Sequence, residues 1–336
     1  MPVEIIIPAR QTFQLQPYEE QPLRRGEIRG RTLCTLVSQG TEIGWANGDA
    51  FPVRPGYAAV FEVEEIGEGV NGVTRGERRF AMGCHRSSQT HMAEHTLPLP
   101  DGMAPETAVI ARLMGVSMTT LMTTKARPGD RVIITGAGPV GFLAAHLFKI
   151  GGYRVTVVDP DALRREQLAR SGIADTRAAM PLDDPDLAGK VALVVDCSGH
   201  EAAVLEGCRI VRRMGEVVLV GVPWRKYTEL TAHDVLNAVF FNHVTLRSGW
   251  EWQLPMHARS FLWEELLEGY NNAPHSIFSG FARALEWLSE GRIPLGGMVH
   301  HAQPEFPERL YADIMARHID EPFIVLDWTH SLASSP

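Results

Sequence analysis

Gly136, Gly138 and Gly141 form a G-x-G-x-x-G run, directly after the β-branched stretch RVIIT and ahead of the apolar stretch FLAAHLFKI. Strand, glycine turn and helix in that order suit the pyrophosphate of a dinucleotide. The first glycine permits the tight turn, the second lets the backbone approach the phosphates, and the third lets helix and strand pack closely. Pro139 and Val140 complete the turn, beyond which the first N–H groups of the helix and the positive end of its dipole face the anion. Asp159 closes the next strand, TVVD, eighteen residues after Gly141, where a carboxylate accepts both ribose hydroxyls. A fixed negative charge there repels the 2′-phosphate of NADP, so the residues predict NAD as cofactor, with NADP less favoured. Arg164 and Arg165 follow, and either can pair with a phosphate. Arg164 is kept as a cofactor candidate, and Arg165 is assigned to a solvated helix face.

The elements around this fingerprint alternate. KVALVVDCSG, GEVVLVGVP and HVTLRSG are further strands, with a helix from about Ala162 to Ser171. Residues 116–250 therefore predict a doubly wound parallel sheet, the Rossmann arrangement. The preceding text differs: VEIIIP, RTLCTLVS, YAAVFEVEEIG and AEHTLPLP are short strand-like runs separated by Gly and Pro, which predicts a β-rich unit. Pro105 to Thr124 reads as one helix. Beyond residue 250, ARSFLWEELLEGY, GFARALEWLSEG and PERLYADIMARH read as helices and PFIVLDW as a strand. These are too few for a sheet of their own and are expected to complete the N-terminal unit. Residues 1–115 and 251–336 would then form one discontinuous domain, with the active site in the cleft between it and the Rossmann domain.

Composition narrows the function. The 336 residues are 45% hydrophobic and 21% charged, which excludes disordered and fibrous classes. With 32 basic and 40 acidic residues the net charge is -8, against a nucleic-acid or anionic-membrane surface. The four cysteines, Cys34, Cys84, Cys197 and Cys208, contain no C-x-x-C pair, so neither a disulfide framework nor a cysteine-rich zinc lobe is expected. The start, MPVEIIIPARQTFQL, lacks the order of a signal peptide, and no apolar run approaches the ~20 residues of a spanning helix. A cytoplasmic protein acting on a small molecule is the expectation.

Several runs in linked order resemble the medium-chain dehydrogenase/reductase superfamily of zinc alcohol and polyol dehydrogenases, over nearly the whole length. They are PGYAAVFEVEEIGEGV (Pro55 to Val70), RGERRFAMG, LPLPDGM, RPGDRVIITGAGPVG, VVDCSG, GEVVLVGVP and ALEWLSEGRIPL. The resemblance implies an α/β fold with a GroES-like β-rich catalytic domain in two sequence pieces around a Rossmann domain. It also implies further cofactor contacts near Ser198, Val222 and Gly249, and a homodimer paired through the edge strand HVTLRSG.

The resemblance breaks at the metal. In the slots of the family's catalytic zinc ligands stand Gln39 (in QGTE), Tyr57 (in Gly56-Tyr57-Ala58) and, counting back from Pro128-Gly129-Asp130, Arg112. Neither Gln nor Tyr is a normal zinc ligand, and a cation opposes a dication. The four-cysteine structural lobe is absent as well, so no zinc is expected. The run Ser38-Gln39-Gly40-Thr41-Glu42 resembles the S-x-G-T-E of a zinc-independent branch that contains the 3-hydroxyethyl bacteriochlorophyllide dehydrogenases.

An alcohol hydroxyl has a pKa of about 16, similar to bulk water, so without zinc a side chain must stabilise the developing alkoxide. The resemblance puts Tyr57 opposite the reacting oxygen, with Arg112 to favour its phenolate; alternatively Tyr57 only fills the volume of the lost metal site. Thr41 matches the family's proton-relay hydroxyl, and Glu42 is read as ordering the loop. His85 and His91, in GCHRSSQTHMAEH, are candidate general acid/bases or structural imidazoles. Trp45, Trp250 and Trp252 are candidate walls of the substrate cleft, and His300 and His301 read as loop residues. The function predicted is an NAD-dependent, zinc-independent oxidoreductase of a secondary alcohol or ketone (a polyol, sugar or hydroxyalkyl substrate). The alternatives are an NAD(P)H-dependent quinone or enone reductase and a non-catalytic dinucleotide-binding protein.

Overall fold

The structure is a computed structural model and describes residues 1–253 and 276–329. The helix expected at ARSFLWEELLEGY lies outside the described residues. The chain divides into two compact units, one of Met1–Arg112, Leu288–Glu290 and Leu295–Pro336, the other of Leu113–Trp287 and Gly291–Pro294.

The first unit is β-rich. The hairpin β1 (Val3–Ala9) and β2 (Thr12–Pro17) accompanies a seven-stranded sheet organised on β3 (Glu27–Val37). Its other strands are β4 (Ala59–Ile66), β5 (Arg78–Ala81), β6 (Ser88–Met92), β7 (Thr96–Pro98), β14 (Val299–Ala302) and β15 (Phe323–Asp327). The order is β14-β15-β3-β4-β5-β7, with β6 also paired to β3. Late residues thus return to the first sheet, as β15 runs antiparallel to β3 in the register Ile324↔Val37 to Asp327↔Cys34. Ile5, Ile7, Val37, Tyr311, Ile324, Leu326 and Trp328 form its larger apolar cluster. The QGTE run is helical: α1 spans Gln39–Ala46 directly after β3.

The stretch expected as one helix is two, α2 (Pro105–Ala108) and α3 (Ala111–Thr123). Tight three-residue bonds, Ile110 N to Thr107 O and Arg112 N to Val109 O, turn the chain between them and bury Val109 and Ile110 completely.

The second unit is a six-stranded sheet with every neighbouring pair parallel, in the order β10-β9-β8-β11-β12-β13. The strands are β8 (Arg131–Thr135), β9 (Arg154–Val158), β10 (Thr176–Arg177), β11 (Val191–Asp196), β12 (Val211–Leu219) and β13 (Thr245–Ser248). All of β11 is buried, the reason its sequence is a continuous Val/Leu run rather than an alternating one. The helices are α4 (Pro139–Ile150), α5 (Ala162–Arg170), α6 (Glu201–Ile210), α7 (Ala232–Phe241) and α8 (Ile277–Ser289); α9 (Pro307–Ala316) belongs to the first unit. Most of α8 groups with the second unit, whereas the sequence reading gave every residue beyond 250 to the first. Packing explains the difference: the Phe281 ring occupies the space over Gly115 of α3, where a Cβ would stand 2.3 Å from it.

Candidate active site

In the second unit β8 runs into the glycine turn and α4. Gly136 adopts φ +85°, and a Cβ there would meet the Ser198 backbone at 3.0 Å. At Gly141 a Cβ would stand 1.7 Å from the Gly136 carbonyl, so only glycine lets α4 start this close to the turn. Gly138 is the N-cap of α4, and Pro139 and Val140 open its first turn. Asp159 follows β9 and is buried. Its Oδ2 accepts from Ala137 N (2.6 Å) and its Oδ1 from Asp161 N (2.8 Å), so the carboxylate also braces the glycine turn. Arg164 Nη1 lies 3.8 Å from the same carboxylate, and a Cβ on Gly138 would stand 4.0 Å from it. Arg165 does not project into solvent: its Nη1 donates to the Asp159 carbonyl at 2.7 Å.

Ser198 sits on a turn that sequence reasoning assigned without identifying what holds it. Asp196, fully buried at the end of β11, accepts from Thr135 Oγ1 (2.7 Å), Ser198 Oγ (2.5 Å), Ser198 N (3.1 Å) and Gly199 N (3.1 Å). Its carbonyl accepts from Val220 N and Gly221 N, so the ends of β8, β11 and β12 are tied at one residue. An acid inside a run of Val was the available signal, because a buried carboxylate must be satisfied by donors. Val222 is exposed on the loop after β12, and Gly249 is buried after β13, its N–H on Leu219 O.

In the first unit the residues in the metal slots form a different arrangement. Tyr57 is half-buried; its hydroxyl donates to Ser38 Oγ at 2.5 Å, and the Arg112 guanidinium carbon lies 4.4 Å from its ring centroid. Arg112 is 4% exposed. Trp45 meets the phenol edge-on at 6.3 Å. Gln39 turns its amide to the Pro322 carbonyl (3.2 Å). An amide, a phenol and a guanidinium, which has no lone pair to give, do not fit a zinc ion. Among the described residues no group of three or more His, Cys, Asp or Glu is gathered as a metal site.

Thr41 lies half-buried in the first turn of α1. His85 is completely buried, with Nδ1 2.7 Å from Thr35 Oγ1 and Nε2 3.2 Å from both oxygens of Glu42. It has no exposed edge to offer a substrate in this conformation. His91 bonds Gln89 Oε1 (3.2 Å) and lies against Phe61; burial, with Arg86 and His95 nearby, lowers it to about 4. Trp250 and Trp252 lie together in the second unit, ring centroids 6.4 Å apart. Ser38, Glu42 and Tyr311 complete the site. Ser38 and Glu42 stood in the S-x-G-T-E run, but nothing in the sequence signalled Tyr311.

Residues 139–257 match the family model described as zinc-binding dehydrogenase. The matched stretch begins after Gln39, Tyr57 and Arg112 and so concerns the second unit. Among curated proteins the chain is 31% identical over 225 residues to L-galactonate-5-dehydrogenase of Escherichia coli (strain K12), spanning 62% of this chain and 62% of that enzyme's length. It is 24% identical over 252 residues to a sorbitol dehydrogenase of Halalkalibacterium halodurans, spanning 62% of this chain and 73% of the relative. Among solved structures, galactitol-1-phosphate dehydrogenase from Escherichia coli superposes with a TM-score of 0.79 at 14% identity, covering 97% of this chain and 99% of that one. The 2R,3R-butanediol dehydrogenase of Bacillus subtilis superposes at 0.75 with 15% identity, at the same coverage. The fold is that of the medium-chain alcohol dehydrogenases. Among the described residues no helix is long and apolar enough to cross a membrane.

Proposed function

We propose that this chain, a homologue of the zinc-binding dehydrogenases in the medium-chain dehydrogenase/reductase superfamily, is an NAD-dependent oxidoreductase of a secondary alcohol or its ketone, working without zinc. The observation that carries the reading is the Tyr57 hydroxyl on Ser38 with the Arg112 guanidinium over its ring. A phenol beside a cation favours its ionised form and so suits a group that takes the alcohol proton. In the reverse direction the same phenol returns the proton to the alkoxide formed from a ketone. Thr41 is the candidate relay hydroxyl beside it.

The glycine turn from Gly136 to Gly141 would hold the pyrophosphate, with Asp159 on the adenosine ribose, Arg164 able to pair with a phosphate, and Ser198, Val222 and Gly249 at the later strand ends. A nicotinamide dinucleotide bound there supplies the hydride acceptor or donor. The names of the curated relatives support a polyol or sugar substrate. The Ser38 to Glu42 run supports the zinc-independent branch with the bacteriochlorophyllide dehydrogenases, in which the substrate carries a hydroxyalkyl side chain. We further read the protein as a homodimer joined through β13.

The test is a screen of purified protein against polyols, sugar acids and hydroxyalkyl compounds with NAD and NADP in parallel, alongside elemental analysis. Turnover with NAD, unchanged by chelator and with far less than one zinc per chain, is expected. Stoichiometric zinc lost together with activity would overturn zinc independence, and NADH binding with no hydride transfer to any carbonyl would favour a non-catalytic protein.

A further inference from the structure

The first unit buries a polar chain that the proposed proton transfer does not itself use. Thr35 on β3, Glu42 on α1, His85 between β5 and β6, Tyr311 on α9 and Trp328 after β15 are each at most 4% exposed, and Glu42 and His85 are 0% exposed. Five elements converge on one carboxylate–imidazole pair, and every hydrogen bond in it can be assigned. Glu42 accepts from Ser38 N (2.8 Å), from the Tyr311 hydroxyl and from His85 Nε2. An ionised carboxylate has only acceptors, so the imidazole carries its proton on Nε2. Trp328 Nε1, a donor only, points at Thr35 Oγ1 (3.0 Å), which leaves the threonine proton for His85 Nδ1. Burial and the Glu42 charge raise the Tyr311 phenol well above its ordinary value, so it keeps the proton it donates.

The pair touches Tyr57 by two routes. Through Glu42 it holds the Ser38 backbone, and Ser38 Oγ accepts the Tyr57 hydroxyl. Ser38 is the N-cap of α1, yet its side chain makes no cap bond; its oxygen is given to Tyr57 instead. Through His85 it holds the chain entering Tyr57. His85 N donates to Pro55 O (3.0 Å), and Gly56, at φ +88°, lies so close that a Cβ would stand 2.8 Å from His85 Nδ1. One buried pair therefore fixes both the phenol's hydroxyl and its backbone.

We propose that Glu42 and His85 are positioning residues for Tyr57, acting through Ser38 on one side and Pro55–Gly56 on the other; this rests on Tyr57 being the proton-transferring group. The expense of burying a carboxylate among five elements is otherwise out of proportion for a fold whose sheet already has an apolar core. The proposal assigns His85 a role without substrate contact and gives Glu42 more than loop ordering.

A double-mutant cycle on the full-length protein tests it. Glu42→Gln should lower kcat at least tenfold, leaving NADH affinity by fluorescence titration within twofold. In a Tyr57→Phe background the same substitution should cost less than twofold more, because the residue through which it acts is gone. A loss of equal size in both backgrounds would show a general structural role and overturn the proposal. Ser38→Ala cuts the link at its outer end while leaving the buried pair intact, and so serves if Glu42→Gln does not fold; its effect should likewise vanish in the Tyr57→Phe background. Ultraviolet titration of tyrosine, with Tyr57→Phe as reference, reads Tyr57 without requiring turnover. The ionisation step lost in Tyr57→Phe should shift to lower pH in Ser38→Ala, since the acceptor that holds the neutral phenol has gone, and in Glu42→Gln, since the weaker hold on the Ser38 backbone displaces that acceptor. No shift in either would overturn the positioning role even if the protein transfers no hydride at all. A shift with no turnover in any variant would leave the positioning intact and remove only the proposed reaction.

Discussion

Arg112 stacks on Tyr57, its guanidinium carbon 4.4 Å from the ring centroid, where the resemblance to zinc enzymes calls for metal ligands. On the proposed function, a fixed cation over a phenol would substitute, in charge though not in coordination, for the ion that would otherwise polarise the alcohol. Tyr57→Phe is therefore expected to lower turnover about a hundredfold or more with dinucleotide affinity intact, the size of effect of one positioned proton-transfer group. Arg112→Ala should move the pH dependence of turnover upward, since the phenolate loses its counter-charge. Steady-state kinetics between pH 6 and 10 check both. Normal turnover by Tyr57→Phe would mean that the ring only fills space.

The strand–glycine turn–helix geometry was legible because its parts are local: Gly136, Gly138, Gly141 and Asp159 lie within one strand–helix–strand unit. The cluster around Tyr57 in the first unit was not. Tyr57 and Ser38 are 19 residues apart, His85 and Glu42 are 43 apart, and Tyr311 and Glu42 are 269 apart. The pairing of β3, β4 and β5 brings the first two pairs together and the return of α9 and β15 to the first unit brings the third, and no spacing rule reports such closures. Helix α1 was missed for a related reason. QGTEIGWA has two glycines and weak propensity, and it is held as a helix by what Glu42 binds. The split at Val109–Ile110 escaped because both residues are apolar and suit an unbroken helix equally well.

Asp159 has two duties in this fold, and they predict a graded response. The carboxylate accepts from Ala137 N inside the glycine turn and, on the proposed function, carries the charge that would disfavour a 2′-phosphate. Asp159→Asn keeps one acceptor and removes the charge; Asp159→Ala removes both. NAD affinity should fall modestly in the first and about tenfold or more in the second, a charge-assisted bond being worth roughly 1.5–3 kcal/mol. NADP should gain relative to NAD in both, with Arg164 available to its phosphate. Parallel Kd measurements for the two dinucleotides are the check, and a wild type that prefers NADP would refute the electrostatic argument.

Two histidines, His146 buried and His91 half-buried, make the fold sensitive to acid. Burial, with Lys149 adding to it, lowers His146 to about 4, and His91 is likewise lowered to about 4. The ordinary value is 6.5, so between about 6.5 and 4 the unfolded chain binds protons that the folded chain refuses. Stability therefore rises with pH through that window and is lost as pH falls from 6.5 towards 4. Thermal melts should show Tm declining from pH 7 to pH 5, with a shallower decline in His146→Gln, which has no imidazole to protonate. An unchanged slope would mean that His146 titrates near its ordinary value.

The homodimer reading makes a prediction about one edge. Among the described residues β13 is the terminal strand of its sheet, paired only to β12, so its outer backbone N–H and C=O groups have no strand partner there. Strand edges left in that state invite further pairing unless something covers them. The helix leading into β13 has the same incomplete character: on α7 Leu236 is 66% exposed and Phe240 75%, while only Ala238 is buried. Phe241 and Met214 are exposed as well, and Met214 is tied to the start of this strand by its N–H on His243 O. A two-fold axis beside β13 would pair the edge with its own copy and bring these apolar side chains against their equivalents, an isologous contact that closes. Light scattering at micromolar concentration should give twice the chain mass. Phe240→Glu should weaken association by placing like charges across the axis, and Leu246, whose side chain packs against the internal core of the sheet, is not the residue to test. A wild-type monomer at that concentration would rule the dimer out.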